Sequence, residues 1–510
     1  MKKFLLILLG IMVILAAVVL IKTYTYPFKK NNLGAGEGWK PVRNDSAVMR
    51  FSGGIKVPTV STGSLGEFDY APFDQFKTYL KTSYPLVYQN TENVEVNQYG
   101  LVFRLKGSNP ALEPVLFLSH MDVVPPGDAD IKNNEENVFR PDDKPLEPVS
   151  KVAKDWEYGP FSGAVANGRI YGRGAIDMKG MLFSLMESMN SMIKNKQVPQ
   201  RDMYLAFGFD EEVGGQKGAM QIADYFKKKG LKFDAVYDEG GLIMRKGNVA
   251  GIDTDVAVVG CAEKGFLSAK IKVKGLGGHS SMPPMESAIG KAAVIMQRLE
   301  DHQMKPVITP LIKEFFNNIG GEMPFATRMA LANQWLLKPV LISQLTKNNT
   351  TNALVRTTTA LTMMKGSDGT NVLSPEVEFV VNFRLLPGNS VKDVKAHIAK
   401  ATEGFDVEVE EIDNTREASA ISSSGTKAFK MIEAGVKEIH PGAIVTPYLT
   451  MAGTDAGKYE IVSKNVYRFM PIKINSAEQQ SIHSTNEYLS IENYLKMIHY
   501  FEYIMLNYDK

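Results

Sequence analysis

The chain has 510 residues, enough for two or three domains and a large buried core. Its hydrophobic content of 44% and charged content of 22% are ordinary for a globular protein, and a formal net charge of +2 gives no electrostatic basis for a nucleic-acid partner. The single cysteine, Cys261, excludes an internal disulfide. Any zinc would therefore be held by histidine and carboxylate ligands, the set typical of catalytic rather than structural sites.

The N-terminus carries an apolar segment. Lys2 and Lys3 precede 18 apolar or small residues without a charge, at 4–21. That length is at the lower end of what spans a bilayer and exceeds the usual core of a signal peptide, and no A-x-A cleavage site follows it. We predict an uncleaved signal-anchor over 1–22, a linker over 23–45, and a body outside the cytoplasm (periplasmic, lumenal or extracellular). Secretion after signal cleavage is the alternative.

Beyond the linker, apolar periodicity predicts alternating helices and strands. In chain order they are a helix over 67–84, a strand pair over 94–105, a strand over 115–120, a helix over 178–193, a strand over 201–210, a helix over 218–229 and a strand over 233–237. Such alternation favours a largely parallel sheet covered by helices on both faces. Residues 127–154 are polar, charged and predicted to be a surface excursion.

The pattern changes near Cys261. The predicted elements are a strand over 266–274, a helix over 286–299, strands over 354–364 and 377–386, a helix over 391–402 and a strand over 405–412. This β-α-β-β-α-β order is that of a ferredoxin-like domain, and residues 303–350 are irregular and read as an insertion. We predict an α/β protein whose catalytic domain (46–261 and 413–510) contains an inserted α+β domain over 262–412.

Histidine and acidic residues follow several predicted strands. The run 115–118 leads to His120 and Asp122, and ligands of open α/β sheets bind beyond the carboxyl ends of strands. A glycine-rich turn precedes Asp177, which could bridge two metals or cap the following helix. The adjacent acids Asp210, Glu211 and Glu212 repel each other unless a cation lies among them, although a solvated acidic turn is the other interpretation.

The acidic pair at 238–239 and a distant histidine, His483, complete the set. Two histidines and three carboxylates make the ligand set of a two-metal hydrolytic site, in which each metal takes one histidine, one terminal carboxylate and a shared aspartate. A free glutamate beside the metals would take a proton from water and later pass it to the leaving amine.

Four motifs carry a resemblance: SHMDVVP at 119–125, GRGAIDMKG at 172–180, DEEVGG at 210–215 and GGHSSMP at 277–283. They resemble the aminoacylase/carboxypeptidase family of co-catalytic di-zinc peptidases. Further features point to its group containing fungal vacuolar carboxypeptidase S and the secreted N-fatty-acyl-amino-acid hydrolase/synthase, namely DEGG at 238–241, VRTTTALT at 355–362, NFRLLPG at 382–388 and the long insertion. The likeness implies a zinc-peptidase-like three-layer catalytic domain with a lid that often dimerises, and hence a homodimer through the lid.

Carried over position by position, the resemblance implies two zinc ions per chain, with cobalt or manganese as substitutes. One would bind His120, Asp177 and Asp238, the other Asp177, Glu212 and His483; the choice of Asp238 over Glu239 rests on the subfamily pattern. Asp122 would orient His120, and Glu211 would be the general base.

The resemblance also assigns residues that meet the substrate. His279 of the lid would polarise the scissile carbonyl, and Arg384 would bind a substrate carboxylate, for which a planar guanidinium is suited. Gly453 and Thr454 resemble the family's substrate-facing loop, and Asn371 resembles its lid asparagine.

These assignments imply a membrane-anchored di-zinc carboxypeptidase or amidohydrolase. It would cleave the amide bond next to a C-terminal amino acid, in dipeptides or N-acyl amino acids, with a metal-bridging hydroxide as the nucleophile. A membrane-tethered peptide- or amino-acid-binding protein without significant turnover is the alternative. A metal-free scaffold would require the loss of a ligand or of the base, and none is missing.

Overall fold

The computed structural model describes residues 1–34, 36, 38–62, 68–127, 156–249 and 251–510, except for the side chains of 413 and 414. The predicted surface excursion over 127–154 lies outside the described residues, except for residue 127. Residue 67, the first residue of a predicted helix, also lies outside them. The chain divides into two compact units. The first comprises 1–30, 262–421 and 449–453, and we call it the lid unit; the second comprises 31–261, 422–448 and 454–510, and we call it the catalytic unit.

The α-helices of the described residues are, in chain order, α1 (Lys2–Thr25), α2 (Asp45–Ile55), α3 (Ala71–Ser83), α4 (Pro85–Asn90), α5 (Lys179–Lys194), α6 (Ala219–Lys228), α7 (Ala288–Asp301), α8 (Pro310–Ile319), α9 (Phe325–Ala332), α10 (Gln334–Leu345), α11 (Asn349–Val355), α12 (Val391–Thr402), α13 (Lys427–Ile439), α14 (Ser476–Gln480) and α15 (Ile491–Asn507). Short 3-10 helices span Glu211–Val213, Gly320–Glu322 and Asp455–Ile461.

The strands are β1 (Glu92–Val96), β2 (Gly100–Leu105), β3 (Val115–His120), β4 (Val165–Ala166), β5 (Arg169–Tyr171), β6 (Met203–Gly208), β7 (Ala235–Asp238), β8 (Ile243–Met244), β9 (Val256–Glu263), β10 (Gly265–Lys274), β11 (Gly278–His279), β12 (Thr358–Lys365), β13 (Val372–Leu373), β14 (Glu376–Leu385), β15 (Val407–Arg416), β16 (Ile444–Thr450), β17 (Val466–Arg468), β18 (Lys473–Ile474) and β19 (Tyr488–Ser490).

The catalytic unit is built on a mixed sheet of ten strands. Their order is β1-β2-β6-β3-β7-β17-β9-β8-β18, and β16 pairs with β9. Strand β3 runs parallel to β6 and β7, and β7 runs parallel to β17. The prediction of a largely parallel sheet holds at this centre and is wrong toward the edges, where β1, β2, β8 and β9 join antiparallel. The turn between β1 and β2 is too short for the crossover that a parallel pair requires.

Strand β3 is buried along its whole length. Leu116 and Leu118 pack with Ile222 and Phe226 of α6, whereas the ring of Phe117 lies 5.9 Å from the ring of Phe501 in α15. Successive side chains of a strand point to opposite faces, so helices cover both faces of the sheet here. The carboxyl ends of the parallel strands β3, β6 and β7 meet at one edge, which positions the residues that follow them.

The lid unit contains a four-stranded antiparallel sheet in the order β12-β14-β10-β15. This is the ferredoxin-like strand order, as predicted. One face of the sheet packs its apolar residues against α7 and α12, as in the contacts among Ile271, Phe379, Ile295 and Ile398.

The predicted irregular insertion is helical. Residues 303–350 contain α8, α9, α10 and the start of α11, which are only 7–12 residues long. Helices this short offer few repeats of an apolar pattern, so periodicity could not distinguish them. The lid unit also includes α1, which is long and apolar enough to cross a membrane.

Removing the acceptor at the centre of one buried network should destabilise the catalytic unit. The carboxylate of Glu187, on α5, accepts hydrogen bonds from Arg50 Nε at 2.6 Å and the Tyr84 hydroxyl at 2.7 Å. We expect Glu187→Ala to lower the free energy of unfolding by about 3 kcal/mol, because both donors lose their partner in a buried site. Glu92→Ala removes a surface ion pair and should cost less than about 1 kcal/mol. Equal shifts in urea unfolding of the two variants would contradict this account.

Candidate active site

His120 is the last residue of β3, and Asp122 follows it into the interior. The His120 Nδ1 atom lies 3.0 Å from the backbone oxygen of Asp122 and 3.3 Å from its Oδ1. Both oxygens are acceptors, so Nδ1 carries the proton and Nε2 is directed to the other side of the ring. A histidine oriented in this way presents Nε2 as a metal ligand.

The Asp122 carboxylate, which is fully buried, also holds the acidic loop. Its Oδ1 accepts from the backbone N–H of Glu211, and its Oδ2 accepts from that of Glu212, both at 3.1 Å. The hydroxyl of Ser61 donates to Oδ2 at 2.8 Å. One carboxylate thus ties the end of β3 to the loop after β6.

Asp177 is positioned by a second buried carboxylate, that of Glu487. It accepts from the backbone N–H groups of Gly174, Ile176 and Asp177 and from Arg173 Nη1, at 2.8–3.1 Å. Gly174 has a φ of +86°, and a Cβ there would lie 2.6 Å from Val123. The sequence analysis missed the role of Glu487, since its position four residues after His483 was the only signal.

The two carboxylate oxygens of Asp177 face different histidines. Oδ1 lies 3.2 Å from His120 Nε2, and Oδ2 lies 2.9 Å from His483 Nε2. Glu239 Oε1 is 3.3 Å from His120 Nε2, and Glu212 Oε2 is 3.2 Å from His483 Nε2. The result is two groups of three potential ligands that share Asp177.

These separations suit metal binding. Ligands at 2.0–2.1 Å from a tetrahedral zinc ion are about 3.3 Å from one another, close to the distances measured here. The Oε1 atom of Glu212 is buried without a hydrogen-bond partner, which leaves lone pairs for a cation. The donor set and its spacing therefore fit two divalent ions.

The structure groups a different acid with His120 and Asp177 than the one predicted. Glu239, not Asp238, groups with His120 and Asp177. Asp238 is the last residue of β7, its side chain is 1% exposed, and its Oδ2 atom is buried without a hydrogen-bond partner. Neighbouring side chains of an extended chain alternate in direction, so only one of the pair can face the histidine.

The electrostatics of the cluster also call for a cation. Burial, and then the nearby Asp177 carboxylate, raise the pKa of Glu239 to about 8. Burial likewise raises the pKa of Asp238 to about 7 and that of Glu211 well above its usual range. Hydrogen bonds to Asp177 and Glu212 raise the pKa of His483 to about 10. Such crowded carboxylates are stabilised as anions when positive charge lies among them.

Glu211 belongs to neither ligand group. Its Oε2 lies 3.9 Å from His120 Nε2, and its side chain is 14% exposed at the edge of the cluster. A carboxylate that is close to the ligands but not among them is available to exchange protons with a water molecule. Asp210 has a different task, since it accepts from the backbone N–H groups of Lys217 and Gly218 and shapes the loop.

In the lid unit, His279 lies on a two-stranded antiparallel sheet of β11 and β13. Its Nδ1 accepts from the backbone N–H of Ser281 at 3.2 Å. A neutral ring with Nδ1 as acceptor carries its proton on Nε2 and can donate a hydrogen bond from there. The backbone oxygen of Asn371 accepts a hydrogen bond from the backbone N–H of Ser280 at 3.0 Å. Asn371 therefore lies beside this two-stranded sheet, and its side chain is exposed.

Arg384 has a neighbouring arginine that the sequence analysis missed. Phe266 of β10 is opposite Arg384 on one side and Arg416 on the other, so the three side chains share the sheet face opposite to α7 and α12. The Arg384 guanidinium lies 4.8 Å from the Phe266 ring centroid, and Arg416 Nε is buried without a hydrogen-bond partner. Burial and then Arg416 lower the pKa of Arg384.

Lys264 lies close to Arg384. Its Nζ donates to the backbone oxygens of Ala353 and Arg356, and burial followed by repulsion from Arg384 lowers its pKa to about 7. Among the described residues, no ion pair joins a carboxylate to Arg384 or Arg416. An anion is therefore the complementary ligand for this face.

The predicted loop residues have different roles. A Cβ on Gly453 would lie 1.6 Å from Arg416 Nη2, so a larger residue would displace the guanidinium from its position over the backbone. Thr454 is 5% exposed, and its hydroxyl accepts from the backbone N–H of Ala456. Thr454 therefore begins a 3-10 helix, and its side chain is already engaged in a cap.

Comparisons with known proteins identify the family of the chain. The model of peptidase family M20/M25/M40 matches residues 146–507. A protein of Dictyostelium discoideum described as "Probable carboxypeptidase S-like 2" is 32% identical over 91% of this chain and 85% of its own length. The "N-fatty-acyl-amino acid synthase/hydrolase PM20D1" of Xenopus tropicalis is 30% identical over 98% of this chain and 93% of its own length.

Solved structures show the same fold. An M20 family metallo-carboxypeptidase from Sulfolobus solfataricus, Sso-CP2, has a TM-score of 0.65 at 19% identity, covering 91% of this chain and 99% of that one. Human carnosine dipeptidase 1 has a TM-score of 0.55 at 16% identity, covering 91% of this chain and 97% of that one. The family match spans more than half of the chain, and the chain is therefore a member of peptidase family M20/M25/M40, a metallo-hydrolase with homologues among the carboxypeptidases.

Proposed function

We propose that this protein is a di-zinc amidohydrolase that releases a C-terminal amino acid from dipeptides or N-acyl amino acids. The observation that carries the proposal is the sharing of Asp177 between two histidine–carboxylate groups, with Glu211 free beside them. The names of the similar proteins, a carboxypeptidase and an N-fatty-acyl-amino acid hydrolase, support this substrate class.

One zinc ion would be held by His120, Asp177 and Glu239, and the other by Asp177, Glu212 and His483. When bound, the metals would supply Lewis acidity and a water molecule of lowered pKa. Cobalt or manganese would suit the same ligands, since nitrogen and carboxylate donors accept all three ions. Asp122 and Glu487 hold the ligands in place before any metal arrives.

Glu211 accepts a proton from the attacking water and delivers it to the departing amine nitrogen, so that the amine leaves neutral. His279 donates its Nε2 hydrogen to the substrate carbonyl oxygen as negative charge develops there, which stabilises the transition state more than the ground state.

Arg384 and Arg416 bind the free carboxylate of the substrate. Two guanidinium groups on one sheet face, with no described carboxylate paired to either, have donors available for both oxygens of such a group. This arrangement favours substrates with a free C-terminus over amidated ones.

We also propose that α1 is retained as a membrane anchor, with the body outside the cytoplasm. The side chain of Asn333 is fully buried and donates to the Val19 backbone oxygen at 3.1 Å and to the Thr23 hydroxyl at 3.0 Å. Cleavage directly after the apolar run, at residue 21 or 22, would remove the Val19 acceptor from this buried amide and leave it with fewer partners, which is unfavourable.

Glu211→Gln should greatly slow hydrolysis without loss of metal. We expect the full-length protein in detergent, with zinc present, to release amino acids from a panel of dipeptides and N-acyl amino acids. The variant should be about 10²–10⁴-fold slower, because proton transfer is lost while every ligand remains. Parent and variant should contain equal zinc. Turnover undiminished in the variant would contradict the base assignment, and two bound metals with no turnover by the parent would favour a binding protein.

Metal content should distinguish the two adjacent acids. Glu239→Ala removes a proposed ligand, so its affinity for one of the two zinc ions should fall by more than about tenfold. Asp238→Ala is the matched control and should retain both ions. The comparison requires elemental analysis after dialysis against graded zinc, with circular dichroism to verify folding. Loss of metal in Asp238→Ala alone would restore Asp238 as the ligand.

Arg416→Gln should weaken recognition of free carboxylates. Losing a charge-assisted hydrogen bond of about 1.5–3 kcal/mol raises KM by roughly 10- to 150-fold. Gly453→Ala should act in the same direction, because its methyl group would displace the guanidinium. Lys270 lies on the same strand as Phe266, so Lys270→Gln serves as the control, and its KM should be unchanged. An equal rise in KM for amidated substrates would show that Arg416 does not bind the substrate carboxylate.

A further inference from the structure

The end of α1 is packed against the helical insertion of the same unit. Besides the bonds of Asn333 to Val19 and Thr23, the Lys22 ammonium lies 5.1 Å from the Trp335 ring centroid. The rings of Tyr24 and Phe325 are 5.8 Å apart. The contact surface on α1 therefore begins at about residue 19.

The rest of α1 has no such contact. Residues 2–18 are all exposed, and at 1.5 Å per residue they extend about 26 Å. The hydrocarbon core of a bilayer is about 30 Å thick. If this part of α1 lies in the bilayer, the insertion begins at the level where the helix leaves it.

Helix α10 is apolar on two sides. Leu341 and Leu345 are buried, whereas Trp335 is 55%, Leu336 39% and Val340 54% exposed. Trp335, Leu336, Pro339 and Val340 follow an i, i+1, i+4, i+5 spacing and so form one stripe opposite the buried one. Exposed apolar surface of this kind is typical of a site that contacts a membrane or another protein.

Positive charges lie beside two aromatic residues, Phe325 and Trp335. Lys29, Lys30 and Arg328 line one cavity together with Phe325 and Glu322, and Lys22 lies over Trp335. Tryptophan beside lysine or arginine is the composition of the bilayer interface, and clustered cations attract anionic headgroups.

We propose that Phe325, Trp335, Leu336, Pro339 and Val340, which we call the membrane face, insert into the interfacial region of the bilayer that α1 crosses. The occupant is an anionic phospholipid surface, with the cations meeting the headgroups. The proposal depends on α1 spanning the membrane, as proposed above. The lid unit then contacts the bilayer at two places, which holds it in a fixed orientation at the surface.

Lipid-borne quenching of Trp335 tests the membrane face. The full-length protein is placed in nanodiscs of phosphatidylcholine and phosphatidylserine, with or without bromine on the acyl chains, and the tryptophan emission is measured. The chain has three tryptophans, and the difference from Trp335→Phe isolates the emission of Trp335. We expect brominated lipid to remove more than half of that emission and to quench Trp335→Phe much less.

Two variants separate insertion from general effects. Leu336→Glu/Val340→Glu should reduce the quenching of Trp335, whereas Val294→Glu, at an exposed apolar site on α7, should not. If the protein co-elutes with the discs but Trp335 is not quenched, α1 spans the bilayer and the membrane face is refuted. If Trp335 is not quenched and each disc carries two chains, the membrane face contacts a second copy of the chain instead. If the protein does not co-elute with the discs, both the anchor and the membrane face are refuted.

Discussion

The buried carboxylate of Asp122 is the constraint on which the rest of the site depends. It contacts the His120 ring and accepts the backbone N–H groups of Glu211 and Glu212. A ligand at the end of one strand and the loop after its neighbour are thereby held by a single group that is excluded from water. Charge-assisted hydrogen bonds in a medium of low dielectric are strong, so the arrangement is set before a metal or substrate binds.

The same principle recurs with Glu487, which organises the turn that carries Asp177. Both supporting carboxylates lie behind the ligands and receive N–H donors, whereas the ligand carboxylates face one another. The carboxylates that face one another therefore concentrate negative charge and have few hydrogen-bond donors around them. The raised pKa values of Glu211 and Glu239 express this imbalance, which bound divalent cations would remove.

Much of this could be read from the sequence because strand ends in an α/β sheet converge. Apolar runs leading to His120, and to the acids at 210–212, sufficed to bring those residues together. Spacing could not decide between Asp238 and Glu239, since that depends on which way each side chain leaves the end of β7. Glu487 and Arg416 were missed because their partners are remote in the chain: 310–314 residues separate Glu487 from the turn it supports. The antiparallel edges and the short helices of the insertion were likewise set by pairing and packing rather than by local pattern.

The central claim is that Asp177 joins two metal sites in one chain. Anomalous diffraction at the zinc absorption edge, from crystals of the full-length protein grown with zinc, tests it most directly. The account predicts two peaks about 3.5–4 Å apart, one on each side of Asp177, with Glu239 and Glu212 as the outer carboxylates. A single peak, or two peaks that do not share Asp177, would contradict it.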